Sequence, residues 1–283
     1  MTQPMEITSK TLPTPEYVGG QGSALVLLHG IGATWEVWKP VLKALEAEHR
    51  VIAMTLPGHY GGPAYSGDGD ATVAGLADQI IANLRAQGID RAHVAGNSLG
   101  GWLSIELARR HFARSVIAFS PAGGWSSDKD YLAVAKSLKV FYALVGMMLF
   151  VLTPLARFGW LRKALAKQTM EHGERFPAAD FCASLRAMSM TIVVPGLLRT
   201  MGRDGPVAPM DAGDVPIRIA WSECDHVIPF ERYGQPFVER IHGAEMAFVR
   251  GVGHVPMYDD PEQVVANILE VTNKVDTAEA VTT

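Results

Sequence analysis

The chain is poor in cysteine, with Cys182 and Cys224 the only two in 283 residues. Two thiols cannot build the multi-disulfide framework of a small secreted domain, and neither lies in a CxxC or His/Cys spacing suited to zinc. Excess charge of one sign is also missing, since 25 Lys and Arg face 29 Asp and Glu for a formal net charge of −4. Without a broad basic field, nucleic acid is not an expected partner. The N-terminus, Met1-Thr2-Gln3-Pro4-Met5-Glu6, lacks the basic start and apolar run of a secretory signal, so the expected location is cytoplasmic. No G-x-x-x-x-G-K-[ST] loop and no H-E-x-x-H occurs. Gly30-Ile31-Gly32 begins like a dinucleotide fingerprint, but Trp35 stands where the third glycine belongs. His254 with Asp259 and Asp260 is a poor match to a metal set, so neither cofactor nor metal is expected.

What is present is a globular composition, 48% apolar and 19% charged, long enough for one large α/β domain or a domain with an insert. Short continuous apolar runs at Ala24 to Leu28, Val51 to Met54, Ala92 to Ala95, Ser115 to Phe119 and Ile217 to Trp221 read as strands buried on both faces, with Met246 to Val249 a sixth. Helical periods lie between and after them. Trp38, Val41, Leu42 and Leu45 share one face, Val73, Leu76, Ala77, Ile80 and Leu84 another, and Val264, Val265, Ile268 and Leu269 a third. Asp260, Pro261 and Gln263 supply a cap, a first-turn proline and a capping-box partner for the last helix. Strands alternating with helices predict a mostly parallel sheet covered on both faces. The tail from about Lys274 to Thr283 is small and polar and is expected to fray.

The alternation stops between about Gly124 and Asp214, where no strand-like run is seen, and this stretch reads as an insert. Within it Lys139 and Arg157 bracket 17 uncharged residues, at the lower limit for a membrane span. Gly146, Pro154 and the strands on either side favour helices packed over the main domain instead, with contact to a lipid-like substrate the alternative.

Gly96-Asn97-Ser98-Leu99-Gly100 matches G-x-S-x-G between a strand and a helix-like stretch. Such a turn lifts a serine hydroxyl above the sheet, and the helix N-terminus aims free N–H groups at the reacting oxygen. A serine nucleophile needs a base and a group to orient it. His254, in Gly253-His254-Val255-Pro256, and Asp225, after the Trp221 strand, both sit beyond strand C-termini, where open α/β sheets gather their ligands. The order Ser98, Asp225, His254 is that of this architecture, with Glu223 the fallback acid. His29 and His59 read as structural hydrogen-bonders, and His226 as exposed.

On these residues, together with His29-Gly30-Ile31-Gly32, Leu56-Pro57-Gly58-His59 and Gly101, the chain resembles serine-type α/β-hydrolases of the esterase-like group, from about Glu16 to about Lys274. It departs from them at Thr55 and Tyr60, where relatives often carry Asp and Gly, and at Ser222-Glu223-Cys224-Asp225, where a Gly is frequent before the acid. The resemblance implies an α/β-hydrolase core at 1–123 and 215–283, and a helical cap at 124–214 after the sixth strand of the fold. It also implies an oxyanion hole from the Ile31 and Leu99 amides. The implied activity is cofactor-free hydrolysis of a small-to-medium apolar ester, with C–C hydrolysis, acyl transfer, perhydrolysis or a lyase step possible on the same triad. A small-molecule receptor is the alternative outside enzymology. Gly30, Phe141, Met147 and Phe150 are the expected substrate contacts, and the insert is expected to set substrate choice without taking part in the chemistry.

Overall fold

A computed structural model describes residues 14–282. In chain order the strands are β1 (Glu16–Gly19), β2 (Ser23–Leu28), β3 (His49–Met54), β4 (Ala92–Asn97), β5 (Ala113–Phe119), β6 (Met210–Asp211), β7 (Ile217–Ser222), β8 (Ile241–His242) and β9 (Glu245–Val249). The helices are α1 (Lys39–Leu45), α2 (Val73–Ala86), α3 (Leu99–Arg109), α4 (Asp128–Leu155), α5 (Gly159–Ala166), α6 (Ala178–Met190), α7 (Val194–Asp204), α8 (Gln235–Arg240), α9 (Pro256–Asp259) and α10 (Pro261–Thr282).

Seven strands form one sheet in the order β1-β3-β2-β4-β5-β7-β9, parallel except for β1 at the edge. Successive residues of the central strands point to opposite faces. Val26, Leu28, Val94 and Val116 enter the core shared with α2 and α3, whereas Leu25, Leu27, Ala95 and Ile117 enter the core shared with α1 and α10. This is why the strands read as unbroken apolar runs. From β2 the chain goes to β3 on one side and returns through β4 on the other, leaving a switch point between β2 and β4 at their carboxyl ends.

All six expected strands are present, and β1, β6 and β8 are additional. β1 is a partly exposed edge strand behind Pro15, and β6 and β8 are two-residue pairs, so none shows a buried apolar run. The helical insert α4–α7 follows β5, the fifth described strand, and the chain before residue 14 lies outside the described residues. Asp260 accepts from the Gln263 amide at 3.0 Å as a cap should. Gln263, however, does not close a capping box. Its side chain bonds the Asp260 carboxylate and the Arg250 backbone instead.

The tail also differs from expectation. α10 continues through Thr282, because Asp276 is tied to the sheet's amino-terminal edge. Its carboxylate accepts from Ser23 Oγ at 2.6 Å and Arg114 Nη2 at 2.6 Å, and meets His93 Nε2 at 3.0 Å. Asp276→Ala would leave the buried His93 Nε2 without this partner, while Ser23 keeps His49 and Arg114 keeps Glu279, and should lower unfolding free energy by about 1–3 kcal/mol in urea titration. A change below about 0.5 kcal/mol would show that the tail docks through apolar contacts alone.

Candidate functional site

Ser98 lies at the junction of β4 and α3 with φ 56° and ψ −115°, a region that side chains other than glycine rarely adopt. Its amide donates to the Phe119 carbonyl at 2.9 Å, and its carbonyl accepts from Ala122 and Trp102. A side chain at Gly96 would run into the Gly100 carbonyl, and one at Gly100 into the Leu28 carbonyl, so the turn closes only with these glycines. One built at Gly30 would stand 3.2 Å from Ser98 Cβ, which places the loop after β2 directly beside the serine.

Asp225 follows β7, and one of its carboxylate oxygens accepts the Val227 and Ile228 amides, both at 2.9 Å. The other lies 2.7 Å from His254 Nδ1, and both side chains are buried. With the carboxylate as acceptor, Nδ1 carries the proton and Nε2 is left free. Ser98, His254, Ile31 and Leu99 line one cavity of about 230 Å³. Among the described residues, Ser98 Oγ makes no hydrogen bond, and neither the Ile31 nor the Leu99 amide donates one. The cavity is therefore lined by a serine, an imidazole fixed by a carboxylate, and two residues whose amides are unspent, the inventory of an acyl-transfer site. Glu223 faces away, bonding Arg250 Nη1 and the Gly251 amide. His226 is exposed and pairs with Glu171.

Three positioning side chains carry no motif of their own. Asn97 Nδ2 donates to the His254 carbonyl at 2.8 Å. Asp259, fully buried, accepts the amides of Gly253, Glu171 and His172, stitching the insert to the His254 loop. The Tyr142 hydroxyl, from α4, donates to the Ile31 carbonyl at 2.8 Å, and burial raises its pKa above the ordinary phenol value. Each acts on at least one backbone group distant in sequence, so no local pattern announces them.

Of the expected substrate contacts, Gly30 and Phe141 line the cavity, but Met147 and Phe150 do not: they are 75% and 90% exposed. The inward face of α4 carries Tyr131, Leu138, Phe141, Tyr142, Val145 and Leu152, at helical spacing, and Met147 and Phe150 fall on the opposite face. α6 and α7 add Phe181, Leu185 and Leu198 to the lining, leaving the wall mostly apolar.

The alpha/beta hydrolase family model matches residues 25–267. The chain belongs to that family. It is 31% identical over 201 residues, 67% of its length, to an epoxide hydrolase of Mycobacterium tuberculosis, covering 89% of that protein. It is 26% identical over 261 residues, 87% of its length, to a pimeloyl-[acyl-carrier protein] methyl ester esterase of Aeromonas hydrophila, covering 94% of it. Its fold superposes on a thermophilic esterase from Thermogutta terrifontis with TM-score 0.70 at 19% identity, over 97% of this chain and 99% of the other. The mostly parallel sheet, flanking helices and helical insert of this hydrolase agree with the expected fold class.

Beneath the site, the buried His29 bridges the loops after β2 and β3. Its Nε2 accepts the Leu56 amide at 2.9 Å, so Nδ1 carries the proton and donates to the Gly30 carbonyl at 2.7 Å. The His59 ring packs edge-on to it with centroids 5.0 Å apart. Burial lowers both pKa values, that of His59 to about 4. Between pH 6.5 and about 4 the unfolded chain binds protons that folded His59 does not, so the stability His59 contributes is complete above 6.5 and lost as pH falls toward 4. Urea unfolding should show a loss of about 1.4 kcal/mol per pH unit from this group, and His59→Asn should flatten the slope by about one proton. An unchanged slope would contradict a neutral, buried His59.

Proposed function

We propose that this hydrolase cleaves small-to-medium apolar carboxylic esters through an acyl-enzyme on Ser98. The observation that carries the reading is the placing of Ser98 and the Asp225-bound His254 on one apolar cavity. Ser98 Oγ attacks the ester carbonyl carbon as His254 Nε2 takes its proton, and Asp225 holds the imidazole and stabilises its charged form. The carbonyl oxygen, now negative, is received by the Ile31 and Leu99 amides. The C–O bond to the alcohol breaks, and His254 returns the proton to the departing oxygen. Water, deprotonated by the same Nε2, then attacks the acyl-serine and releases the acid, regenerating Ser98.

The epoxide-hydrolase relative raises a second reading, and the chemistry of a serine disfavours it. An epoxide opened by Ser98 Oγ would leave an alkyl ether, with no carbonyl for water to attack and no acyl carbon for the two amides to serve. An ester leaves an acyl-serine that the same base can clear. The methyl ester esterase relative supports the ester reading. In this account residues 1–123 and 215–283 form the catalytic core and 124–214 the cap, whose apolar inner wall selects the substrate.

The cap also shapes the reacting centre, because Tyr142 holds the Ile31 carbonyl and thereby the loop whose amide receives the oxyanion. Mixing the enzyme with p-nitrophenyl butyrate should give a burst of nitrophenol equal to the enzyme concentration, abolished in Ser98→Ala. Asp225→Asn should lower kcat by up to about four powers of ten, and Glu223→Gln should have little effect. Tyr142→Phe should lower kcat about tenfold with little change in KM, since the bond it removes acts on the oxyanion loop and not on the apolar wall. Turnover of styrene oxide but not of any ester in the panel would overturn the reading. No turnover of either would favour a receptor.

A further inference from the structure

From Val140 onward α4 is apolar on both its inner and its outer face. The inner one lines the cavity, while the outer one presents Val140, Leu144, Met147, Phe150, Val151 and Leu155 to solvent. From Val140 to Leu155 this outer face runs for about 22 Å at the helical rise. It continues onto Phe158 and Trp160, which stack at 6.3 Å between centroids, with Trp160 71% exposed. A folded protein rarely leaves a contiguous apolar surface of this extent uncovered without a partner for it.

The charges around this face identify the partner. Residues 131–170 contain six Lys and Arg and no Asp or Glu, in a chain whose net charge is −4. Lys136 and Lys139 are exposed at one end of the apolar run, and Arg157, Lys163 and Lys167 at the other. Arg157 lies over the Phe158 ring at 4.7 Å, and Lys163 is 3.6 Å from Glu174. A second copy seated on this face would bring two basic rims together. A surface that is apolar beneath and anionic at its edge satisfies both features. We propose that the outer face of α4 and the start of α5 dock on a phospholipid bilayer bearing anionic headgroups, with α4 lying in the plane of the interface.

A membrane crossing is incompatible with the same contacts. Although α4 is the one helix among the described residues long and apolar enough to span a bilayer by itself, its inner face packs on the hydrolase core, and Tyr142 is bonded to Ile31. A helix so held lies on the bilayer, with the apolar residues in the acyl boundary, the lysines at the headgroups and Trp160 at the interface. Lipid and cavity then stand on opposite faces of a single helix. A bilayer-dissolved ester would have only that helix's width to cross, a consequence that rests on the ester-hydrolase reading, although the docking does not.

Ser98→Ala protein, which cannot consume lipid, is sedimented with vesicles of phosphatidylcholine alone and of an equimolar phosphatidylcholine–phosphatidylglycerol mixture. Binding to the mixed vesicles is expected, weaker at high salt. Adding Lys136→Ala and Lys139→Ala should weaken it about thirtyfold on mixed vesicles, with little effect on phosphatidylcholine. Adding Met147→Ser and Phe150→Ser should weaken it at least about tenfold on both. Because those two side chains stand outside the cavity, the same pair in the wild-type background should leave turnover of a water-soluble ester and the thermal midpoint unchanged, which separates lost docking from lost folding. Absence of vesicle binding, or binding indifferent to both pairs, overturns the proposal. So does a dimer in sedimentation velocity that Met147→Ser and Phe150→Ser dissolve while no variant binds vesicles.

Discussion

A serine forced to φ 56° and ψ −115° at the end of β4 is the constraint around which this molecule is arranged. Such a backbone costs about 1–3 kcal/mol and persists only where its surroundings over-determine it. Here three backbone hydrogen bonds hold the residue, and the glycines at 96 and 100 let strand and helix meet without collision. Burial of β4 in the middle of the sheet fixes one side of the turn, and packing of α3 against β4 and β5 fixes the other. Because the turn lies at the switch point, the loops after β2, β7 and β9 converge on it. A serine hydroxyl, an imidazole and two residues with open amides thus line one cavity, and of these only Ser98 and Leu99 are neighbours in sequence.

The helical insert is bound to this centre more closely than its place in the chain implies. Tyr142 reaches the Ile31 carbonyl, Asp259 gathers amides from both the insert and the His254 loop, and the Val255 amide donates to Thr169 at 2.8 Å. The insert's helices thus brace two of the loops that line the cavity, in addition to forming its apolar wall.

Legibility in the sequence followed solvent exposure and covalent neighbourhood. Strands buried on both faces advertise themselves, as Leu25 to Leu28 and Val116 to Phe119 do, whereas β1, half-exposed at an edge, does not. Ser98, Asp225 and His254 were readable because each sits just beyond a strand whose position the apolar pattern marks. The faces of α4 were not, since a run apolar on all sides has no polar stripe from which to take the helical phase, and Met147 and Phe150 look inward only until the phase is known. Asn97, Tyr142 and Asp259 escaped because their partners are backbone groups supplied by the tertiary fold. Asp276 escaped because a polar residue in a polar tail gives no sign of the His93 and Arg114 waiting for it.

The assignment of Ser98 as the nucleophile underlies the whole functional account, and covalent capture tests it without knowledge of the substrate. The intact protein is treated with a small fluorophosphonate, digested and mapped by tandem mass spectrometry, beside a sample denatured beforehand. The account predicts a single stoichiometric adduct on Ser98 in the native protein and none after denaturation, since the hydroxyl reacts only while His254 and the elbow hold it. An adduct on another serine, or an unlabelled Ser98 in protein that turns over esters, would contradict it.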